Sequence, residues 1–124
     1  MNKREEFDKY ITDTYGVRAE FPWGEDTGHA VYRHASNKKW FAVAMSVHKS
    51  KFGLSEDSLV QVVNLKCDPL MIGSLHKEKG IFPAYHMNKN YWISVFLDGS
   101  VDDETIKWLT GLSFELTDTS LKKK

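Results

Sequence analysis

Lysine and aromatic side chains are the residues of this chain whose types and spacing suggest chemistry, namely recognition of phosphates and of flat apolar rings. One set contains cations without any acid between residues 29 and 53: Arg33, Lys38, Lys39, Lys49 and Lys51. A second set interleaves aromatic rings with hydrogen-bonding side chains: Tyr85, His86, Asn88, Lys89, Tyr91 and Trp92. Together they favour contacts to a nucleic acid, in which lysines bond phosphates and rings stack on bases. The alternative is that the lysines solubilise loops and sheet edges while the rings fill a core.

A net charge of zero excludes a polybasic coat and restricts any binding of a polyanion to a local patch. Lys and Arg together number 17, and so do Asp and Glu. The signs are segregated along the chain, because residues 1–28 carry −3, residues 29–53 carry +5 and residues 98–118 carry −5. Positive charge is therefore expected on the predicted sheet and its loops, and negative charge on the helical ends of the chain.

The sequence carries no motif that identifies a reaction. Cys67 is the single cysteine, so the chain forms neither an internal disulfide nor a thiolate zinc site, and no histidine is tied to it by spacing. Its position before a predicted helix start is expected to favour the thiolate. Gly-rich phosphate loops and nucleophile elbows are missing from the sequence. We therefore expect a protein that is not an enzyme and that needs no metal and no cofactor.

Length and composition predict one domain located in the cytoplasm. A chain of 124 residues with 41% hydrophobic side chains is long enough for a single core. One cysteine favours a reducing compartment, and no apolar segment is long enough for export or for spanning a membrane. We predict a single domain over residues 1–124 whose basic tail, residues 119–124, is frayed, with no membrane as partner. The sequence does not indicate an oligomeric state.

Hydrophobic periodicity predicts the element order α, β, β, β, α, β, α. The first helix ends before Gly16, and the last begins at Asp102 with Trp108 facing inward. Strands are predicted over residues 30–35, 40–47, 59–65 and 91–97, with a helix over residues 68–79 and an ordered loop over residues 81–90. These elements predict an α+β fold in which an antiparallel sheet of about four strands has helices packed on one face.

Several motifs resemble the MmcQ/YjbR-like family over about residues 7–117. They are the runs 63–69 (VNLKCDP) and 82–89 (FPAYHMNK) before Trp92, the ending 113–116 (SFEL), and the earlier runs 21–24 (FPWG) and 40–43 (WFAV). Phe114 stands where the family often has tyrosine, and Ala84 where glycine is common. The resemblance implies a fold similar to that of the bacterial frataxin homologue CyaY and a "double-wing" type of DNA binding.

Three hypotheses about function follow. The first is a cytosolic, non-enzymatic protein that binds DNA through basic loops. Its candidate DNA-binding residues combine the charge pattern (Lys38, Lys39, Lys49 and Lys51) with the positions that match the family motif (Lys66, Tyr85, His86, Asn88, Lys89 and Trp92). The second is a module that binds a small molecule or a protein through the loop from Pro83 to Trp92. The third, by analogy with frataxin, is iron binding by carboxylates of the first helix: Glu5, Glu6, Asp8 and Asp13.

Overall fold

The computed structural model describes residues 2–118, which form three helices and one five-stranded antiparallel sheet. In chain order the elements are α1 (Lys3–Tyr15), β1 (Ala30–Arg33), β2 (Trp40–His48), β3 (Leu59–Lys66), α2 (Pro69–Leu75), β4 (Ile81–Pro83), β5 (Trp92–Phe96) and α3 (Asp103–Thr117). The strand order across the sheet is β1-β2-β3-β5-β4. The basic tail predicted for residues 119–124 lies outside the described residues. Within residues 2–118, no helix is both long and apolar enough to cross a membrane.

The helix starts follow from capping residues that are visible in the sequence. The Asp68 carboxylate accepts a hydrogen bond of 2.9 Å from the Leu70 amide, and the Asp102 carboxylate accepts one of 2.8 Å from the Thr105 amide. Helix α1 ends at Gly16, whose φ of 67° is a left-handed conformation that glycine adopts without strain. These contacts confirm the predicted starts of α2 and α3 and the predicted end of α1.

The structure corrects the strand count and the length of the second helix. Residues Ile81–Pro83, predicted as loop, form a fifth strand at the edge of the sheet. Pro83 has no N–H to donate, and an edge strand tolerates this because one of its sides has no neighbouring strand. Three residues are too few to produce a periodic signal. Helix α2 ends at Leu75 instead of near residue 79, because the polar segment after it folds into tight turns that lead to β4.

Trp108 was also predicted to face inward, and this was wrong. Its side chain is 53% exposed on α3, whereas Ile106 and Leu109 on the same helix are buried. The helix packs on the sheet through a narrow apolar stripe, and Trp108 falls beside this stripe.

The two faces of the sheet have different covers. All three helices pack on one face, called here the helix face, where Ala44, Val63, Leu65, Ile93 and Val95 meet them in the main core cluster. The opposite face, called here the loop face, carries a smaller cluster of the following residues: Val31, Val43, Met45, Val47, Val60, Val62 and Phe96. Its cover consists of side chains from loops and the edge strand: Phe52, Leu54, Phe82, Tyr85 and Met87. The prediction of helices on one face is confirmed.

A β-bulge in β2 changes which face its first residues occupy. Tyr32 pairs with Ala42 but Arg33 pairs with Trp40, so Phe41 has no partner of its own in β1. Phe41 and Ala42 consequently both belong to the core on the helix face, while Trp40 packs with the loop face. Strict alternation back from Ala42 would have placed Trp40 under the helices.

Candidate nucleic-acid interface

The predicted site residues are distributed between two ends of the sheet. One end, called here the open end, is made by the turn between β1 and β2, the end of β3 and the start of β5. The other, called here the far end, is made by the connection from β2 to β3 and by the end of β5. Strand β2 has nine residues, so the two ends are about 30 Å apart.

The turn at the open end holds two lysines in fixed backbone positions. Lys38 adopts a left-handed φ of 65°, and the Lys39 amide donates a hydrogen bond of 2.8 Å to the Asn37 side-chain oxygen. Asn37 also donates to the Thr117 carbonyl at the end of α3, at 2.8 Å. Both lysine side chains are exposed. The turn is therefore attached to the helix layer while its two ammonium groups face solvent.

Buried His34 anchors the same turn from below. Its Nε2 lies 2.7 Å from the Thr117 hydroxyl, and its ring packs against Phe41 and Phe114 with centroid distances of 5.2 Å and 4.2 Å. Burial lowers the pKa of His34, and this effect outweighs the opposing influence of the Asp118 carboxylate. The imidazole is thus held in its neutral form beneath the exposed lysines.

Lys66 is the last residue of β3, and a side chain of α3 fixes its backbone at the open end, next to the bulge. The Ser113 hydroxyl donates to the Phe41 carbonyl at 2.6 Å and accepts from the Lys66 amide at 2.9 Å. Ser113 is fully buried, so this one hydroxyl satisfies two backbone groups that the bulge would leave without partners. The backbone of Lys66 is fixed in this way, and its side chain is partly exposed.

The segment before β5 brings further polar groups to the open end. The Asn88 carbonyl accepts from the amides of Tyr91 and Trp92, and the Asn88 side-chain oxygen accepts from the Asn90 amide at 2.9 Å. Asn88 thus forms the turn that leads into β5, while the side chain of Lys89 is exposed. The Asn88 side chain is exposed as well, and the Lys89 ammonium is the charged group of this turn.

Tyr85 serves mainly as part of the cover on the loop face. Its amide donates to the Ser94 hydroxyl at 3.0 Å, and its carbonyl accepts from the buried Asn64 side chain at 2.8 Å. Its ring lies 6.1 Å from that of Phe52. His86 follows with a positive φ of 60° and is exposed. Tyr85 and His86 therefore lie between the two ends, away from the turn that carries Lys38.

A row of alternating cations and indole rings crosses the open end on the loop face. Arg33 is the cross-strand partner of Trp40, and Lys66 is the partner of Trp92. Cross-strand partners share a face of the sheet, and Lys66 shares its face with Asn64 two residues earlier. Arg33 is neutralised by a two-point ion pair with Glu20. The cation of the row without a described acidic partner is Lys66.

Trp23 extends this row into the loop after α1. Its ring meets that of Trp40 edge to face at a centroid distance of 5.7 Å, and its side chain is 49% exposed. Beside them is a groove of about 280 Å³ lined by Glu20, Phe21, Pro22, Val31, Arg33 and Trp40. The sequence motifs included Trp23 and Trp40. The bulge that brings Trp40 to this face could not be predicted from the residue types around it.

The far end has lysines too, but they lie among acids. The Lys49 ammonium is 2.8 Å from the Glu56 carboxylate, which raises the pKa of Lys49 and lowers the pKa of Glu56. Lys51, two residues further along, is exposed. Other acids of this end lie in its loops and at the start of α3: Asp57, Asp98, Asp102, Asp103 and Glu104. The structure therefore does not bring Lys49 and Lys51 together with the open-end lysines.

Within residues 2–118, four lysines of the open end form no ion pair: Lys38, Lys39, Lys66 and Lys89. Together with Trp92 and the turn of Asn88, they are the predicted site residues that the structure gathers in one place. The arrangement supplies ammonium groups around a partly exposed ring, which is the chemistry needed to hold a phosphate and to cover a base.

Cys67 and the carboxylates of α1 have other surroundings than the sequence predicted. Burial is the main cause that raises the pKa of the Cys67 thiol, with the Asp68 carboxylate acting in the same direction, so the expected thiolate character was wrong. Asp8 accepts from the Tyr32 hydroxyl at 2.8 Å, and Asp13 is paired with Lys9 at 2.7 Å. Among residues 2–118, no three His, Cys, Asp or Glu side chains are grouped so as to hold a metal ion.

The fold and the site define a small α+β protein with a single antiparallel sheet and helices on one face. The family model described as YjbR matches residues 12–116, and the chain belongs to the YjbR family. It is similar to the uncharacterized protein YyaQ of Bacillus subtilis, with 37% identity over 117 residues that cover 94% of this chain and 99% of that protein. The uncharacterized protein YjbR of Escherichia coli K12 is 31% identical over 78 residues, which cover 61% of this chain and 66% of that protein.

Solved structures show the same fold. A protein from Pseudomonas syringae, solved by crystallography, superposes with a TM-score of 0.89 at 42% identity and covers 94% of this chain and 99% of that one. A Deinococcus radiodurans protein with the domain DUF419 has a TM-score of 0.69 at 23% identity, covering 94% of this chain and 78% of that one, which is a likeness of fold. The expected similarity to CyaY stays a prediction.

Proposed function

We propose that this chain is a non-enzymatic DNA-binding protein of the cytoplasm that contacts DNA phosphates through the lysines of its open end. The observation that carries the proposal is the gathering there of four lysines without an ion pair among the described residues. Lysines already paired with carboxylates gain less from a phosphate, because the existing pair must first be broken. Lys39, Lys66 and Lys89 carry no such cost, and Lys38, which contributes to lowering the pKa of the Glu20 carboxyl, forms no ion pair with it.

The two loops beside β3 correspond to the wings of the family's expected binding mode. One wing is the turn that carries Lys38 and Lys39, and the other is the segment that carries Lys89. Lys66 lies between them at the end of the central strand β3. The acids at the starts of α1 and α3 lie at the far end. The acids nearer the open end are Glu20, which is paired with Arg33, and Asp68, Glu115 and Asp118. A polyanion that approaches the loop face of the open end therefore meets the lysines there.

Salt dependence gives this proposal a quantitative test. If all four lysines neutralise phosphates, the affinity for a DNA duplex falls by about 150-fold between 50 and 200 mM salt, because counterions are released on binding. Fluorescence anisotropy of a labelled 20-base-pair duplex measures this directly. A slope near zero, or no binding at 50 mM salt, would contradict the proposal.

Two matched double variants identify the end that binds. Lys38→Glu with Lys39→Glu changes the charge of the open end by four units, and Lys49→Glu with Lys51→Glu makes the same change at the far end. We expect the first pair to weaken binding at 50 mM salt by about tenfold or more and to reduce the salt slope by about 2. The second pair is expected to change the affinity by less than about twofold, because it lies a Debye length or more from the site. Equal effects of the two pairs would refute an interface at the open end.

A further inference from the structure

We infer that the open end takes single-stranded DNA, with bases stacked on the indole rings of the loop face and phosphates held by the surrounding lysines. This inference rests on the proposed function and specifies the form of DNA that the same surface recognises. It depends on the rings of this surface, whereas the salt dependence of binding depends on the lysines.

The indole rings of the open end are partly exposed because the side chains that cover the loop face do not extend over them. Phe52 packs on Phe82 and Phe96, with centroid distances of 5.3 Å and 5.1 Å, so it covers the part of the sheet toward the far end. Trp92 lies four residues before Phe96 along β5, at the opposite end of that strand. The loop-face residues at the open end are therefore only partly covered, and Trp40, Lys66 and Trp92 are all partly exposed to solvent.

The spacing of the rings suits a chain of bases better than a single compact ligand. Trp40 lies on β2 and Trp92 on β5, with β3 between them, so the strands that carry the two rings are about 10 Å apart. Trp23 adds a third ring beside Trp40, and Tyr91, which is 47% exposed, precedes Trp92. Lys66 lies on the strand between the two indoles, where it can meet a backbone that links bases on either side.

The charges around the rings identify the partner as a polyanion with apolar flat faces. An apolar peptide would need the rings but would gain nothing from four lysines without ion pairs. A phosphate without a base would need the lysines but not the rings. Single-stranded DNA satisfies both groups, since aromatic platforms flanked by positive charge are how sheet surfaces hold unpaired bases.

Single strands differ from duplexes in the availability of base faces. In a duplex each base is stacked between its neighbours, so the rings of Trp23, Trp40 and Trp92 find no face to cover. Only the lysines then contribute, and they act on the phosphates of either form. A preference for the single strand is therefore the property that separates this inference from phosphate binding alone.

The test compares a 20-nucleotide poly(dT) single strand with a 20-base-pair duplex, using anisotropy and tryptophan fluorescence in the same titration. We expect Trp92→Ala and Trp23→Ala each to weaken binding of the single strand by about 5- to 100-fold. The affinity for the duplex should stay within about twofold in both variants. Trp92→Phe, which keeps a ring, should recover most of the affinity for the single strand.

Trp108→Ala is the matched control, because this side chain is 53% exposed on α3 and far from the loop face. It should change neither affinity, and quenching of the native fluorescence by poly(dT) should persist in it. Thermal unfolding of each variant checks that the fold is kept. If Trp92→Ala proves unfolded, Trp23→Ala together with Trp92→Phe supplies the comparison.

The outcomes separate the two proposals. Equal affinity for both forms, or binding of the single strand that the Trp23 and Trp92 variants leave unchanged, overturns the stacking inference while phosphate binding stands. If neither the single strand nor the duplex binds in a salt-dependent way, the proposed function itself is overturned.

Discussion

At the far end of the sheet Lys49 lies 2.8 Å from Glu56, whereas at the open end Lys38, Lys39, Lys66 and Lys89 have no ion pair among residues 2–118. The rings differ as well. Phe52 and Phe82 at the far end pack onto Phe96, while Trp23 and Trp40 at the open end meet each other and water. At one end of the loop face the rings are packed and Lys49 is paired with an acid, and at the other the rings are partly exposed and four lysines have no ion pair within the described chain.

The direction of α1 and α3 explains why acids collect at the far end. Helix α1 is tied at its start to α3 by the Lys3–Asp103 ion pair, and at its end Tyr15 stacks on Phe114, so α1 and α3 run in the same direction. Acids favour helix starts, and both starts lie at the far end. The ends of α1 and α3 lie at the open end, but their last turns carry no basic residue, and Glu115 lies in the last turn of α3. Helix direction therefore explains the acids of the far end, whereas the cations of the open end come from loops and from the end of β3. A count along the chain does not reveal this division.

The largest effect is expected from Ser113→Ala, which removes the hydroxyl that fixes the open end. The Lys66 amide and the Phe41 carbonyl would both lose their partner inside the protein, at a cost of about 1–3 kcal/mol in the free energy of unfolding. Urea denaturation measures the loss. Thr110→Val is the control, because within residues 2–118 the Thr110 hydroxyl bonds to the Ile106 carbonyl of its own helix and to no other group. Equal losses in both variants would show that the open end does not depend on Ser113.

A smaller effect is expected from the buried imidazole under the open-end turn. Burial lowers the pKa of His34 in the folded state, so the unfolded chain takes up the proton first and stability falls as the pH drops below about 6.5. The loss cannot exceed about 1.4 kcal/mol per pH unit for one proton. Thermal unfolding at pH 7.0 and 5.5 should show a larger decrease in wild type than in His34→Gln. An identical decrease in the two proteins would contradict a neutral buried His34.

The smallest effect is expected from opening the ion pair of the far end. Glu56→Gln removes the partner of Lys49 and should change the free energy of unfolding by less than about 1 kcal/mol, as exposed pairs usually do. DNA affinity should rise by no more than about threefold, because the freed ammonium lies outside the open end. A rise of tenfold or more would indicate that the far end also binds DNA.

Much of the fold could be predicted from local signals in the sequence. Asp68 and Asp102 mark helix starts, and Gly16 marks a helix end, because capping acts through the nearest few residues. The strand Ile81–Pro83 escaped prediction because its pairing with β5 is a long-range contact that a three-residue run does not record. The same holds for the bulge at Phe41, which depends on a hydroxyl from α3.

The candidate site was only partly predictable. The lysines were identified by type, but their division between two ends 30 Å apart, about the length of β2, is a property of strand direction. Trp92 was identified by motif, whereas Trp23 and Trp40 were assigned no role, since only the bulge shows that Trp40 leaves the core. Tyr85 was selected as a contact residue, and its backbone bonds to Asn64 and Ser94 give it a structural task.

An amide-resolved NMR titration tests most directly that the open end is the surface that meets DNA. Poly(dT) of 20 nucleotides is added to the ¹⁵N-labelled protein in 50 mM salt, and shifts of the backbone amides and indole N–H groups are followed. The interface described here predicts shifts at residues 38–40, 66 and 89–92 and at the indoles of Trp23, Trp40 and Trp92, with residues 49–57 and Trp108 unchanged. Shifts centred on residues 49–57 or on α1 and α3 would contradict it.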